Sequence, residues 1–85
     1  MIDVEKIRDT VRQSVNRITG IAPNEIHDTS DFRKDLGLDS LSALEVMVDV
    51  EYAFKIKVPE ERLQSIQTVQ DTIAVVQEYL GAVSA

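Results

Sequence analysis

The residues with the most chemical potential are Asp39 and Ser40, which stand just after Gly37-Leu38 and just before a long apolar run. A serine hydroxyl in such a place can attack a substrate, be modified by another protein, or cap a helix. Attack needs a base within hydrogen-bond reach and an oxyanion site. The chain has no Gly-x-Ser-x-Gly elbow, and its one histidine, His27, lies in an aperiodic stretch and is read as a solvated loop residue without a role. No catalytic residue is therefore expected. With no cysteine and a single histidine, no metal set is expected either. Asp39 and Ser40 are both good N-caps, but one helix has one N-cap. If Asp39 fills that place, its carboxylate accepts the N–H of Leu41 or Ser42 and Ser40 begins the helix with its hydroxyl free. The same pair is also ordinary helix-start chemistry in which Ser40 does nothing more, and the local residues leave both readings open.

The helix that follows carries more apolar surface than one core contact requires. At about 100° per residue, Ala43, Val46, Met47, Val50 and Phe54 share one arc, which suits burial. Leu41, Leu44, Val48 and Tyr52 form a second arc, flanked by Glu45, Asp49 and Glu51, and no Lys or Arg occurs between Asp39 and Phe54. A rimmed apolar patch of this kind is expected to be a partner surface, with the carboxylates steering a basic partner; the alternative is a helix buried on two sides, for which a chain of this length has little material.

The rest of the chain must hold that turn and helix in place. Val4, Ile7, Val11, Val15 and Ile18 recur at helical spacing and predict a scaffold helix from Ile2 to Thr19, capped by Asp3 and stopped by Gly20. From Gly20 to Leu38 no period persists. Ile21, Ile26, Phe32 and Leu36 are expected to anchor this stretch as an ordered loop, with one short helical turn starting at Thr29 or Ser30. Gly37 is the residue that accepts a positive φ before the helix. Lys55 to Val58 reads as an extended link. Pro59 suits the first position of a short helix that Leu63 and Ile66 pin to the core. Thr68 to Asp71 forms a capping box with Asp in the acidic place, opening a last helix with Val69, Ile73, Val76 and Leu80 on its stripe and Gly81 at its end. The expected fold is all-α: a small four-helix bundle with three longer helices, one short helix and a long ordered first loop, one domain over residues 1–85 with 82–85 as a frayed tail.

Composition narrows the partners. Nine basic against fifteen acidic residues give a net charge of −6, which argues against nucleic acid and for basic protein surfaces. No apolar run is long enough to span a membrane and no signal-peptide pattern opens the chain, so a cytoplasmic monomer without membrane insertion is expected. A chain without cysteine that uses a thiol must import it on a cofactor.

The run DLGLDSLSALEVMVDVEYAFKIKVPEERLQSIQTV resembles the heart of an acyl carrier protein: an Asp-Leu-Gly-x-Asp-Ser-Leu turn, an acidic helix, a Val-Pro-x-Glu segment and a Thr-Val opening the last helix. The resemblance implies that Ser40, beside Asp39, carries a covalent 4′-phosphopantetheine delivered from coenzyme A by a phosphopantetheinyl transferase. It implies a partner face through Leu41, Leu44, Glu45, Val48 and Glu60 for acyl-processing enzymes with basic docking patches; Asp49 and Glu51 join it on charge. It also implies an acyl pocket near Val46, Met47, Val50, Leu63 and Ile66, residues that plain core packing explains equally well. The expected function is carriage of acyl intermediates as thioesters for fatty acid or polyketide-type biosynthesis. The alternatives are an aminoacyl or peptidyl carrier, and a helical interaction module that is never modified. Ser42 and Tyr52 stand where fatty-acid carriers often have acidic residues, and Arg62 brings a cation into a usually acidic short helix.

Overall fold

The computed structural model describes residues 4–84, with side chains through Gly81. The first helix, α1, runs from Val4 to Thr19 and buries Ile7, Val11 and Val15 completely, as their spacing requires. The proposed cap Asp3 lies outside the described residues. At the far end Gly20 turns to φ +81°, its N–H still donating to the Asn16 carbonyl at 2.8 Å, and the chain leaves the helix.

The arginines of α1 fasten it to its surroundings. Arg8 grips Asp28 with Nε and Nη2 at 2.7 and 2.8 Å and also pairs with Glu5. Arg12 Nε donates to the Ile26 carbonyl at 2.8 Å, and Arg17 pairs with Asp49. Two of these ties hold the first loop, whose anchors Ile26, Phe32 and Leu36 are all buried, as is Leu38. The loop's helical turn is a 3-10 turn at Pro23–Glu25 rather than at Thr29 or Ser30, because Pro23 presets its φ. Ser30 is instead buried, and its Oγ accepts the His27 N–H at 2.9 Å.

Long-range backbone bonds order the loop further. Phe32 N–H donates to the Gln67 carbonyl at 2.9 Å, Val69 N–H to Ser30 at 3.2 Å and Gln70 N–H to Asp28 at 2.8 Å, around an antiparallel bridge between Asp31 and Thr68. The loop is thereby stitched to the start of the last helix.

The second helix, α2, spans Ser40–Phe54 and puts Val46, Met47 and Val50 into the core. It ends at Lys55, which takes the left-handed conformation at φ 55°, so that the Lys55 and Ile56 N–H groups both close on the Glu51 carbonyl. The link that follows buries Ile56 and Val58 and exposes its lysines. The short helix α3 is Glu60–Leu63; Pro59 sits immediately before it, with ψ 146° keeping it extended, rather than at its first position. Leu63 and Ile66 pack against the core.

The last helix, α4, is Val69–Ser84. Its capping box is reciprocal: Thr68 Oγ1 accepts the Asp71 N–H at 3.1 Å, and Asp71 Oδ2 accepts the N–H groups of Thr68 and Gln67 at 3.1 and 3.0 Å. Gly81 does not end this helix, contrary to its reading as a stop. Its φ is not positive and the backbone stays helical to Ser84, through most of the expected tail; Ala85 lies outside the described residues. Val69 and Val76 are fully buried, and Ile73 and Val75 nearly so. The described chain is all-helical apart from the single bridge, with three long helices and one short one.

Candidate functional site

Asp39 settles the competition at the head of α2. Its backbone is extended, and its Oδ1 accepts the Ser42 N–H at 2.7 Å. Hydrogen bonds from the Ser42 backbone and then the Ser42 side chain, with lesser help from the Leu41 N–H and the Arg33 charge, hold the Asp39 carboxyl below the usual carboxylate range. Ser40 is the first helical residue, and it is exposed. The turn that delivers it pivots on Gly37 at φ +69°.

A second aspartate shapes the loop before it. Asp31 Oδ1 accepts the N–H groups of Arg33 and Lys34 at 2.8 and 2.9 Å, which also lowers its pKa, while Leu38 N–H donates to the Phe32 carbonyl at 2.8 Å. With Phe32 and Leu36 buried, Arg33 and Lys34 are left outside. The Arg33 guanidinium donates to Ser40 Oγ.

Beside Ser40 opens a groove of about 750 Å³. Phe32, Ala43, Met47, Leu63 and Ile66 supply its apolar lining, and Arg33, Lys34, Glu60 and Gln64 stand among its polar groups. Ser40 thus faces a space bounded by the first loop, α2 and the α3 segment. Of the five residues expected around an acyl pocket, Met47, Leu63 and Ile66 line this groove, whereas Val46 and Val50 are sealed in the core at 0% exposure.

The outer face of α2 is strongly apolar. Leu41, Leu44, Val48 and Tyr52 are 68, 43, 54 and 88% exposed and share one arc of the helix. Glu45 is exposed with them, and Glu60 is exposed at the groove. Asp49 and Glu51 are placed differently. Asp49 Oδ2 accepts from the buried Ser14 hydroxyl at 2.6 Å and pairs with Arg17, joining α2 to α1. Glu51 Oε2 accepts the Val58 N–H at 2.8 Å and so clasps the link. Arg62, which breaks the acidic pattern of α3, pairs with Glu78 on α4.

Sequence reasoning passed over Arg33 and Lys34. The signal was available: two cations precede the Gly37 reversal, so a chain that doubles back there returns them toward Ser40.

The site has no catalytic apparatus among the described residues. Asp39 is occupied as a cap, His27 is on another part of the loop, and no group of three or more acidic, His or Cys residues could hold a metal ion. What the arrangement offers is an exposed hydroxyl with free volume beside it, which fits a covalently attached chain.

Compared with known families, residues 9–76 match the model described as "Phosphopantetheine attachment site". Among curated proteins, the acyl carrier protein of Rhodococcus erythropolis is 39% identical over 74 residues, covering 87% of this chain and 81% of that protein. The meromycolate extension acyl carrier protein of Mycobacterium tuberculosis is 36% identical over 74 residues, covering 87% and 64%. The acyl carrier protein of Myxococcus xanthus is 33% identical over 73 residues, covering 86% and 92%. The chain therefore spans 64% of the length of the meromycolate extension protein it matches.

Proposed function

Because this chain belongs to the acyl carrier protein family, a family of phosphopantetheine-bearing carriers and not of enzymes, we propose that Ser40 is its attachment residue. The arm attached there carries acyl intermediates as thioesters in fatty acid or polyketide-type biosynthesis. The observation that carries this reading is that Asp39 caps α2, leaving Ser40 exposed beside an open groove.

The chemistry asked of this chain is small. Ser40 Oγ forms the bond to phosphorus, the pyrophosphate bond of coenzyme A breaks with release of adenosine 3′,5′-bisphosphate, and the serine proton leaves to a base. Among the described residues no group around Ser40 is placed to take that proton, since Arg33 donates and Asp39 is engaged. The transferase must supply the base. Once bound, phosphopantetheine supplies the terminal thiol that this cysteine-free chain lacks.

Partners dock on the outer face of α2. Leu41, Leu44 and Val48 give the apolar contact, while Glu45 and Glu60 meet basic patches on the transferase and the acyl-processing enzymes. Asp49 and Glu51 contribute less to docking, because their carboxylates already hold parts of this chain together. The groove suits an alkyl chain along Met47, Leu63 and Ile66, with Val46 and Val50 as backing. Its apolar lining and the acyl carriers among the relatives favour acyl cargo over aminoacyl cargo. We place the working protein in the cytoplasm as a monomer; no described helix is long and apolar enough to cross a membrane.

The test is the intact mass after incubation with coenzyme A, magnesium and a broad-specificity phosphopantetheinyl transferase. Wild type gains one phosphopantetheine and Ser40→Ala gains nothing. A chain that stays unmodified, or a gain that persists in Ser40→Ala, refutes the assignment. Loading the modified protein with fatty acyl and aminoacyl donors then decides the cargo.

A further inference from the structure

Arg33 is unlike the other arginines bound to this scaffold. Arg8, Arg17 and Arg62 pair with carboxylates, and Arg12 holds a backbone carbonyl. Among the described residues Arg33 makes no ion pair, and its guanidinium reaches instead to Ser40 Oγ. Its backbone is fixed by Asp31 and by the Leu38 to Phe32 hydrogen bond, so the side chain springs from a set position.

A phosphodiester on Ser40 meets a mixed field. The positive end of α2 favours it, and the ionised Asp39 next to it opposes it. No Lys or Arg lies between Asp39 and Phe54 to offset that repulsion. The nearest cation by contact is Arg33. Esterification replaces the serine hydroxyl with a poor acceptor, but places on the adjacent phosphorus two non-bridging oxygens that share one negative charge. A guanidinium is a planar fork that matches such a pair.

We propose that Arg33 is the positioning residue for the prosthetic arm: its guanidinium holds Ser40 Oγ in the unmodified chain and transfers to the two non-bridging phosphate oxygens after modification. This anchors the base of the arm at the groove shared by Arg33, Lys34, Leu63 and Ile66. The inference rests on attachment at Ser40.

The experiment compares unmodified and modified forms of wild type, Arg33→Gln and Arg33→Lys. Intact mass first establishes attachment in each. The Arg33 Nε–H resonance of wild type is then expected to move on modification, and the phosphorus resonance to differ between wild type and Arg33→Gln, with Arg33→Lys between them. Relative to its unmodified form, modified Arg33→Gln should melt roughly 1–5 °C lower than modified wild type does. That gap should close in 1 M salt, where the screening length falls to about 3 Å. A merely structural role would change both forms alike and leave the phosphorus resonance in place. Normal mass gain with an unmoved Arg33 resonance and identical phosphorus shifts overturns this inference alone. Failure of wild type to gain mass overturns the attachment at Ser40 and this inference with it.

Discussion

Replacing Asp49 separates a residue that builds the scaffold from one that greets partners. Its Oδ2 accepts from Ser14 at 2.6 Å, and the Ser14 residue is only 6% exposed. A hydrogen bond to a charged acceptor contributes about 1.5–3 kcal/mol, and a buried hydroxyl left without its partner costs about 1–3 kcal/mol. The Asp49 side chain is 31% exposed, which admits water and pulls the figure toward the lower half. The ion pair with Arg17, whose side chain is 66% exposed, adds only a few tenths of a kcal/mol by the usual worth of such pairs. Asp49→Ala should therefore destabilise by about 2 kcal/mol, seen as a melting temperature roughly 8–16 °C lower in a domain of this size. Ser14→Ala should cost about 1 kcal/mol, because Asp49 keeps Arg17 and water. In urea titrations the pair should show a coupling of about 1 kcal/mol in a double-mutant cycle, whereas Glu45→Ala should fall within about 0.5 kcal/mol of wild type. Phosphopantetheine transfer to the folded Asp49→Ala protein should proceed at the wild-type rate. Wild-type stability of Asp49→Ala combined with impaired transfer would refute the reasoning and return Asp49 to the docking face.

Two more expectations come from the backbone and the carboxylates. Lys55 is held at φ 55°, where a side chain crowds its own carbonyl, so Lys55→Gly should stabilise the fold by about 1 kcal/mol in urea or thermal melts; a loss of stability would contradict that strain. Asp28, Asp31 and Asp39 all have lowered pKa values, Asp28 chiefly through its hydrogen bonds with Arg8 and the other two through backbone N–H groups. Protons bind the unfolded chain first, so their contribution is complete above the ordinary carboxylate range and is lost as pH falls through the folded values. Melting temperature should hold near neutrality and decline below about pH 5, with a shallower decline in Asp28→Asn; an equal slope in that variant would exclude the Arg8–Asp28 pair as a cause.

The head of α2 was readable in the chain because its physics is local. Gly37, Asp39 and Ser40 lie within four residues, and conformational freedom and capping preference place the reversal and the helix start there before any tertiary contact is known, while Asp39 and Ser40 still compete for the cap until the Asp39 to Ser42 hydrogen bond decides it. The apolar stripes were readable for the same reason, since spacing alone separates Val46 and Val50 from Val48 and Tyr52. What escaped is set by contacts distant in sequence. Asp49 and Glu51 flank the outer arc on a helical wheel, yet Ser14 and Val58 claim their carboxylates. The loop's order depends on Ser30, Asp31 and Phe32 meeting Gln67, Thr68 and Val69, which no local pattern encodes. Gly81 reads as a terminator only if the backbone adopts the left-handed conformation there, and it does not.

The two ends of the groove's outer wall are set by different devices. On one side Glu51 grips Val58; on the other, the capping box and the bridge to Asp31 fix Thr68. Between those posts hangs a four-residue helix, fastened across to α4 by Arg62 and Glu78. Held at both ends and tied in the middle, the panel keeps Leu63 and Ile66 against the core, so the wall facing the Ser40 hydroxyl is set by three separate fastenings and not by the strength of so short a helix.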